Sequence, residues 1–212
     1  MFVADGAGSA MCGGEGAEAA VAEASRFMEE KLSKPEFGLG DDFAVELISQ
    51  VRDRLYRDAE RAGLKARDYA CTFIGLVSTD QGSVVMQVGD GAAVVDVGAG
   101  LELAIVPAAG EYANMTYFVT EEDALQKLVT RSYPGAVGRA ALFSDGLQRL
   151  ALNLSTNMPH EPFFAPFFKV LGAQGAPERD ALEHALLRFL NSDAVNERTD
   201  DDKTLALAVR PE

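Results

Sequence analysis

The sequence holds no Trp, two Cys and two His in 212 residues. A structural zinc site of four Cys/His ligands would consume all of them, and two thiols cannot form a disulfide framework. Positive charge is also scarce. Lys and Arg total 19 against 33 Asp and Glu, a formal net charge of −14. That excess would be repelled by nucleic acid and by anionic lipid, so neither nucleic acid nor membrane is an expected partner. No apolar run approaches the ~18 residues of a membrane helix. Met1-Phe2-Val3-Ala4 leads straight into Asp5, without a basic leader or an apolar signal core. The expectation is a cytoplasmic protein whose Cys12 and Cys71 stay reduced.

What is present is a globular composition, 48% hydrophobic and 25% charged, with 20 Gly. Phe2–Ala4 reads as the end of a buried strand, broken by Asp5-Gly6-Ala7-Gly8-Ser9. Ala17, Ala20, Val21, Ala24, Phe27, Met28 and Leu32 then recur at helical spacing, and that helix must stop before Pro35. A second helix starts at Asp41-Asp42, with Phe43, Leu47, Ile48, Val51, Leu55 and Ala59 on one face. The period then shortens. Tyr69–Ser78, Ser83–Val88, Ala92–Val97 and Leu101–Val106 read as a β-meander, with Met115–Thr120, Gln126–Ser132 and Ala140–Ser144 as further strands. Leu147–Leu154 reads as a helix, as does a stretch carrying Phe163, Phe164, Phe167 and Phe168. Another helix opens at Pro177 with Leu182, Leu186, Phe189 and Leu190 inward, and Thr204–Val209 closes the chain as an alternating strand. This order implies an α+β layered domain rather than alternating βαβ units.

Three acids share one local context. Asp5 ends the first strand, Asp145 ends Ala140–Ser144, and Asp201 stands just before Thr204–Val209. Carboxylates gathered at one sheet rim repel unless a cation lies between them, and an all-oxygen set selects Mg²⁺ or Mn²⁺. Asp-Gly pairs are also common turn formers, and the spacing alone leaves that reading open.

Val3-Ala4-Asp5-Gly6-Ala7-Gly8-Ser9, Gln87-Val88-Gly89-Asp90-Gly91, Leu142-Phe143-Ser144-Asp145-Gly146-Leu147 and Thr199-Asp200-Asp201-Asp202-Lys203-Thr204 occur in that order. Together they resemble the ordered motifs of the metal-dependent protein phosphatases of the 2C type, in their compact bacterial branch. The resemblance covers nearly the whole chain. It implies a single domain over 1–212, a four-layer α-β-β-α sandwich of two antiparallel sheets flanked by helices. It also implies two Mn²⁺ or Mg²⁺ ions at one end. By position, Asp5 would bridge the ions, the Gly6 carbonyl would bind the second, and Asp145 and Asp201 would hold the first. The register within Asp200-Asp201-Asp202 is open by one residue; Thr204 at the start of the last strand favours Asp201. The implied activity is hydrolysis of phosphoserine and phosphothreonine proteins by a water made nucleophilic between the cations, usually opposing a cognate kinase.

The chain departs from the family pattern in four places. The family carries an earlier strand with a phosphate-binding Arg and an acid for the second metal, and Met1 lies four residues before Asp5. The domain therefore reads as short at its N-terminus, with an open sheet edge beside Phe2–Ala4. Ala7 stands where many members have His. Asp90 matches an acid that can serve a third metal, but its usual acidic partner is replaced by Arg149. The connection before Asp145 leaves room only for a small flap. These departures keep a second reading in play, a weak or inactive phosphatase-like domain that binds a phosphoprotein or a kinase. A dinucleotide loop is excluded, because Met11 occupies the position that needs Gly or Ala. His160 and His184 read as surface residues.

Overall fold

The computed structural model describes residues 1–33, 38–107, 116–173 and 178–211. The described strands are β1 (Phe2–Val3), β2 (Phe73–Thr79), β3 (Gly82–Val88), β4 (Ala92–Asp96), β5 (Leu101–Ile105), β6 (Val129–Tyr133), β7 (Arg139–Phe143), β8 (Leu152–Asn153), β9 (Met158–Pro159) and β10 (Leu205–Val209). The helices are α1 (Gly13–Leu32), α2 (Asp41–Ala62), α3 (Ala124–Lys127), α4 (Gln148–Ala151), α5 (Glu161–Leu171), α6 (Arg179–Leu190) and α7 (Asp193–Asn196). No described helix is long and apolar enough to cross a membrane.

Two antiparallel sheets of four strands form the centre, ordered β1-β2-β3-β6 and β10-β7-β4-β5. The apolar stripe of α2 buries Phe43, Leu47, Ile48, Val51 and Leu55 against Phe73, Val84, Met86 and Val88 of the first sheet, with Ala20, Ala24 and Phe27 of α1 beside them. Strand alternation sends Ile74, Leu76 and Val85 to the other face, where they meet Ala93, Val95, Ala140 and Leu142 of the second sheet. The outer face of that sheet, with Ala92, Val94, Ala141 and Phe143, is covered by Phe163, Phe164 and Phe168 of α5. The result is the expected helix–sheet–sheet–helix order.

Several local expectations are corrected. The four strands read as one meander are two hairpins in different sheets, because the chain leaves β3 and crosses to β4 at Gly89-Asp90-Gly91. Only glycine fits at the two ends of that turn. Gly89 has φ +110°, and a Cβ on Gly91 would lie 2.4 Å from Ile74 Cδ1 and 2.8 Å from the Phe143 carbonyl. The strand expected from Tyr69 starts at Phe73, since Ala66–Tyr69 is a 3-10 turn held by Asp68 accepting from the Lys65 N–H at 2.9 Å. Gln126–Ser132 divides into the end of α3 and β6, and Leu147–Leu154 into α4 and β8. Of the candidate strand 115–120, Met115 lies outside the described residues. Thr116–Thr120 forms no strand; the Val119 and Thr120 carbonyls accept instead from Arg52 and Tyr56 of α2. Pro35 and Pro177 also lie outside them. In α6 the expected inward face is seated at Leu186, Phe189 and Leu190: Leu186 packs half-buried on the second core, the Phe189 ring lies 5.3 Å from that of Phe167, and only Leu190 is fully buried.

Candidate metal centre

The sheet registers fix which chain ends meet. Val88 pairs with Phe73, and Phe143 pairs with both Ala92 and Leu205. The residues just beyond these pairs therefore share one rim. They are Asp5 with Thr72, the Gly89-Asp90-Gly91 turn, Asp145, and the segment entering β10.

Each acid is anchored through its backbone. The Asp5 N–H donates to the Thr72 hydroxyl at 3.1 Å, and the Thr72 N–H donates back to the Asp5 carbonyl at 2.8 Å. Gly6 follows, paired across an isolated bridge with Cys71. Asp145 opens a 3-10 turn, Asp145–Leu147, directly after β7. The Ser144 N–H donates to the Thr204 carbonyl at 3.1 Å, and the Thr204 N–H to Ser144 Oγ at 3.0 Å, so the Asp145 loop and the entry to β10 move together. Gly146 allows the close approach: a Cβ there would fall 2.2 Å from the Asp202 carbonyl and 3.2 Å from Asp201 Cβ. Asp201 is solvent-exposed, and its carboxylate accepts the Asp202 N–H at 2.9 Å.

The electrostatics record the crowding. Burial, and then the charges of Asp145, Asp201, Asp202 and Asp90, raise the Asp5 carboxyl from its ordinary 3.8 to about 7. Burial, then Asp90 and Asp201, raise Asp145 to about 6. These groups lie close enough to oppose each other's ionisation, which is the field a cation relieves. Among the described residues, no three His, Cys, Asp or Glu side chains are grouped tightly enough to hold an ion as they stand. Donor chemistry still fits a hard divalent cation, because every charged group on the rim offers oxygen. Of the sequence-derived candidates, Asp5, Gly6 and Asp145 are half-buried at this rim, while Asp201 is held to it through Gly146. Asp90 also belongs to it, but its Oδ2 accepts the Thr116 hydroxyl. Arg149 is exposed, and Ala7 is buried with its N–H on the Ala70 carbonyl at 2.9 Å.

Sequence reasoning missed the parts of Thr72, Thr116 and Gln148, which hold the acids' backbones and side chains, and of Gln87, which holds the carbonyls of the glycines on either side of Asp90. Gln87 had a readable signal, a polar residue inside an otherwise apolar strand. Thr72 and Thr116 lie in loops and Gln148 opens the short helix α4, where nothing in sequence spacing marks them.

Comparisons with known proteins converge on this site's fold. A serine/threonine-protein phosphatase 3 of Escherichia coli (strain K12) is 53% identical over 209 residues, covering 99% of this chain and 83% of that protein. The solved catalytic domain of the serine threonine protein phosphatase PstP, in complex with 2 manganese ions, superposes with a TM-score of 0.63 at 17% identity, covering all of this chain and 87% of that one. PppA, a regulatory component of a secretion system in Pseudomonas aeruginosa, gives 0.62 at 19% identity, covering 97% of this chain and 83% of that one. The family model described as protein phosphatase 2C matches residues 1–191, the span from the first strand through α6. With that match and so close a relative along almost all of its length, the chain belongs to the protein phosphatase 2C family.

Proposed function

We propose that the rim is the catalytic centre of a Mg²⁺- or Mn²⁺-dependent serine/threonine protein phosphatase, acting on phosphomonoesters of phosphoserine and phosphothreonine proteins. The observation that carries this reading is the convergence of Asp5 and Asp145, from opposite sheets, with both carboxyls raised by burial and by neighbouring acidic charge. Asp5, the Gly6 carbonyl, Asp145 and Asp201 are the residues that would hold two ions. Divalent ions bound there supply positive charge to the phosphoryl oxygens and lower the pKa of water.

The chain's own groups prepare the place. Thr72 fixes the Asp5 backbone through two hydrogen bonds, so this carboxylate is presented from a rigid strand end. The Ser144–Thr204 pair keeps the Asp145 loop in step with the Asp201 segment. The surrounding acids make the bare rim repel phosphate, so substrate binding depends on cations arriving first. Asp90 is assigned to the wall of the site rather than to a third ion, since its carboxylate is engaged by Thr116. A kinase that phosphorylates the same protein is the expected counterpart.

The test is Mn²⁺-dependent hydrolysis of a small aryl phosphate and of a phosphothreonine peptide. Turnover that needs Mn²⁺ and disappears in Asp5→Asn and Asp145→Asn supports the reading. Metal-independent turnover, or none in the wild-type chain at millimolar Mn²⁺, refutes it.

A further inference from the structure

The Gly89-Asp90-Gly91 turn, where the chain crosses between sheets, has all three carbonyls taken by glutamine side chains. Gln87 donates through Nε2 to Gly89 O at 3.0 Å and to Gly91 O at 2.9 Å. Gln148 donates through Nε2 to the Asp90 carbonyl between them. The two glutamines reach the turn from different sides. Gln87 belongs to β3 of the first sheet, while Gln148 begins α4, three residues after Asp145.

The Gln87 position is chemically unfavourable. The side chain is 2% exposed, and its neighbours in register are Ile74 and Val129. Its Oε1 has no hydrogen-bond partner among the described residues. An unpaired buried acceptor destabilises the fold, because it has lost water and gained nothing in return. An apolar residue would therefore suit the strand here unless the turn's geometry matters. The Asp90 side chain is fixed as well, by the Thr116 hydroxyl on Oδ2. Asp90 stands at the same rim as Asp145, because Ala92 beyond the turn pairs with Phe143 before that acid. A turn left free to shift would move the Asp90 charge relative to the acid three residues before Gln148.

We propose that Gln87 and Gln148 form a carboxamide clamp that fixes the Asp90 turn against the Asp145 loop, making Gln148 a positioning residue for phosphoester hydrolysis. The assignment to that reaction rests on the phosphatase reading of the rim; the clamp itself does not. Gln148 touches neither metal nor substrate in this role. It ties the turn that joins the two sheets to the loop that follows β7 at one separation, as groups behind a metal centre do when they orient its ligands.

The experiment uses the full chain with Gln148→Met, which keeps length and loses the donor, and Gln148→Glu, which puts a carboxylate against the Asp90 carbonyl. Three quantities are read: amide hydrogen exchange of the 87–93 segment without metal, Mn²⁺ affinity by calorimetry, and kcat and KM on an aryl phosphate. In Gln148→Met, exchange of that segment rises, and kcat and Mn²⁺ affinity each fall about tenfold, with KM within about twofold of wild type. Gln148→Glu is worse in all three. Unchanged exchange in Gln148→Met overturns the clamp, whatever the activity. A rise in KM with kcat intact also overturns it, because Gln148 would then be a substrate contact. A wild-type chain without Mn²⁺-dependent turnover refutes the phosphatase reading, while the exchange data still decide the clamp. Gln87→Leu is the second arm. It should raise exchange of the same segment and lower the melting temperature, since the buried Gly89 and Gly91 carbonyls lose their donor; unchanged exchange there also overturns the clamp.

Discussion

Replacing Asp5 by Asn keeps the side chain's shape and removes its charge, which separates what this acid costs the fold from what it gives the reaction. In the folded, metal-free chain the carboxyl titrates at about 7 against an ordinary 3.8. Between those values the folded state holds a proton that the unfolded state has released. Its contribution to stability is therefore present in acid and is lost as pH rises through 7. In a dry site that gap is worth on the order of 4 kcal/mol. Asp5 is only half-buried, and solvent screening reduces the figure to ~1–2 kcal/mol. The neutral amide carries no such penalty, so at pH 8 without metal Asp5→Asn should melt ~2–8 °C above wild type. At pH 5 most of that difference should be gone. Mn²⁺ should raise the melting temperature of wild type and leave the variant unchanged, and Mn²⁺-dependent turnover should be lost. Thermal melts at pH 5, 6.5 and 8, with and without Mn²⁺, check all of this. A variant less stable than wild type at pH 8, or one that keeps turnover, would refute the argument that crowded charge at this rim is reserved for cations.

Other perturbations follow from geometry. Gly146→Ala places a methyl 2.2 Å from the Asp202 carbonyl, so the Asp145 and Asp201 segments must part; turnover should fall at least about tenfold, read as kcat on an aryl phosphate. Phe164→Ala empties a fully buried position between α5 and Phe143 and should cost about 3–5 kcal/mol in urea denaturation. Burial raises the Asp96 carboxyl, but Arg139 and the N–H groups of Gly98 and Gly100 outweigh it and hold the group below its ordinary range. Its stabilisation is thus complete at neutral pH and is lost in acid as the pH falls through that depressed value. Asp96→Ala, which strands Arg139, should cost about 2–3 kcal/mol by the same assay at pH 7. Burial pushes the Cys71 thiol up to about 12, so in the native protein at pH 8 iodoacetamide should leave it unmodified, as peptide mapping would show.

The layers, and the acids that make up the candidate site, were readable because both follow from short-range rules. Helical spacing announced the buried faces of α1 and α2, and alternation or unbroken apolar runs announced β2, β3, β7 and β10. Asp5, Asp145 and Asp201 were marked by standing at strand ends. What stayed hidden depends on long-range partners. Nothing in Gly89-Asp90-Gly91 alone says whether the next strand returns to the same sheet or crosses to the other; Ile74 and Phe143, distant in sequence, decide it by leaving no room for a Cβ. Thr116–Thr120 has strand-like composition, yet its Val119 and Thr120 carbonyls are claimed by Arg52 and Tyr56 of α2. The apolar residues of α6 suggested an inward face, and Leu186, Phe189 and Leu190 do meet the second core and the α5 rings, but how shallowly that face is buried could not be read from its spacing.

The rim draws one carboxylate from beside β1, another from the end of β7 and a third from the entry to β10. Translation delivers these in order, and the strand carrying the last docks beside β7 only after every other described strand has emerged. A nascent chain still short of β10 would hold Asp5 and Asp145 without the segment that locks Ser144 in place. Without β10 both partners of Ser144 in Thr204, the carbonyl that takes its N–H and the N–H that reaches its Oγ, would be missing, so the loop carrying Asp145 would lose its tie to the segment of Asp201.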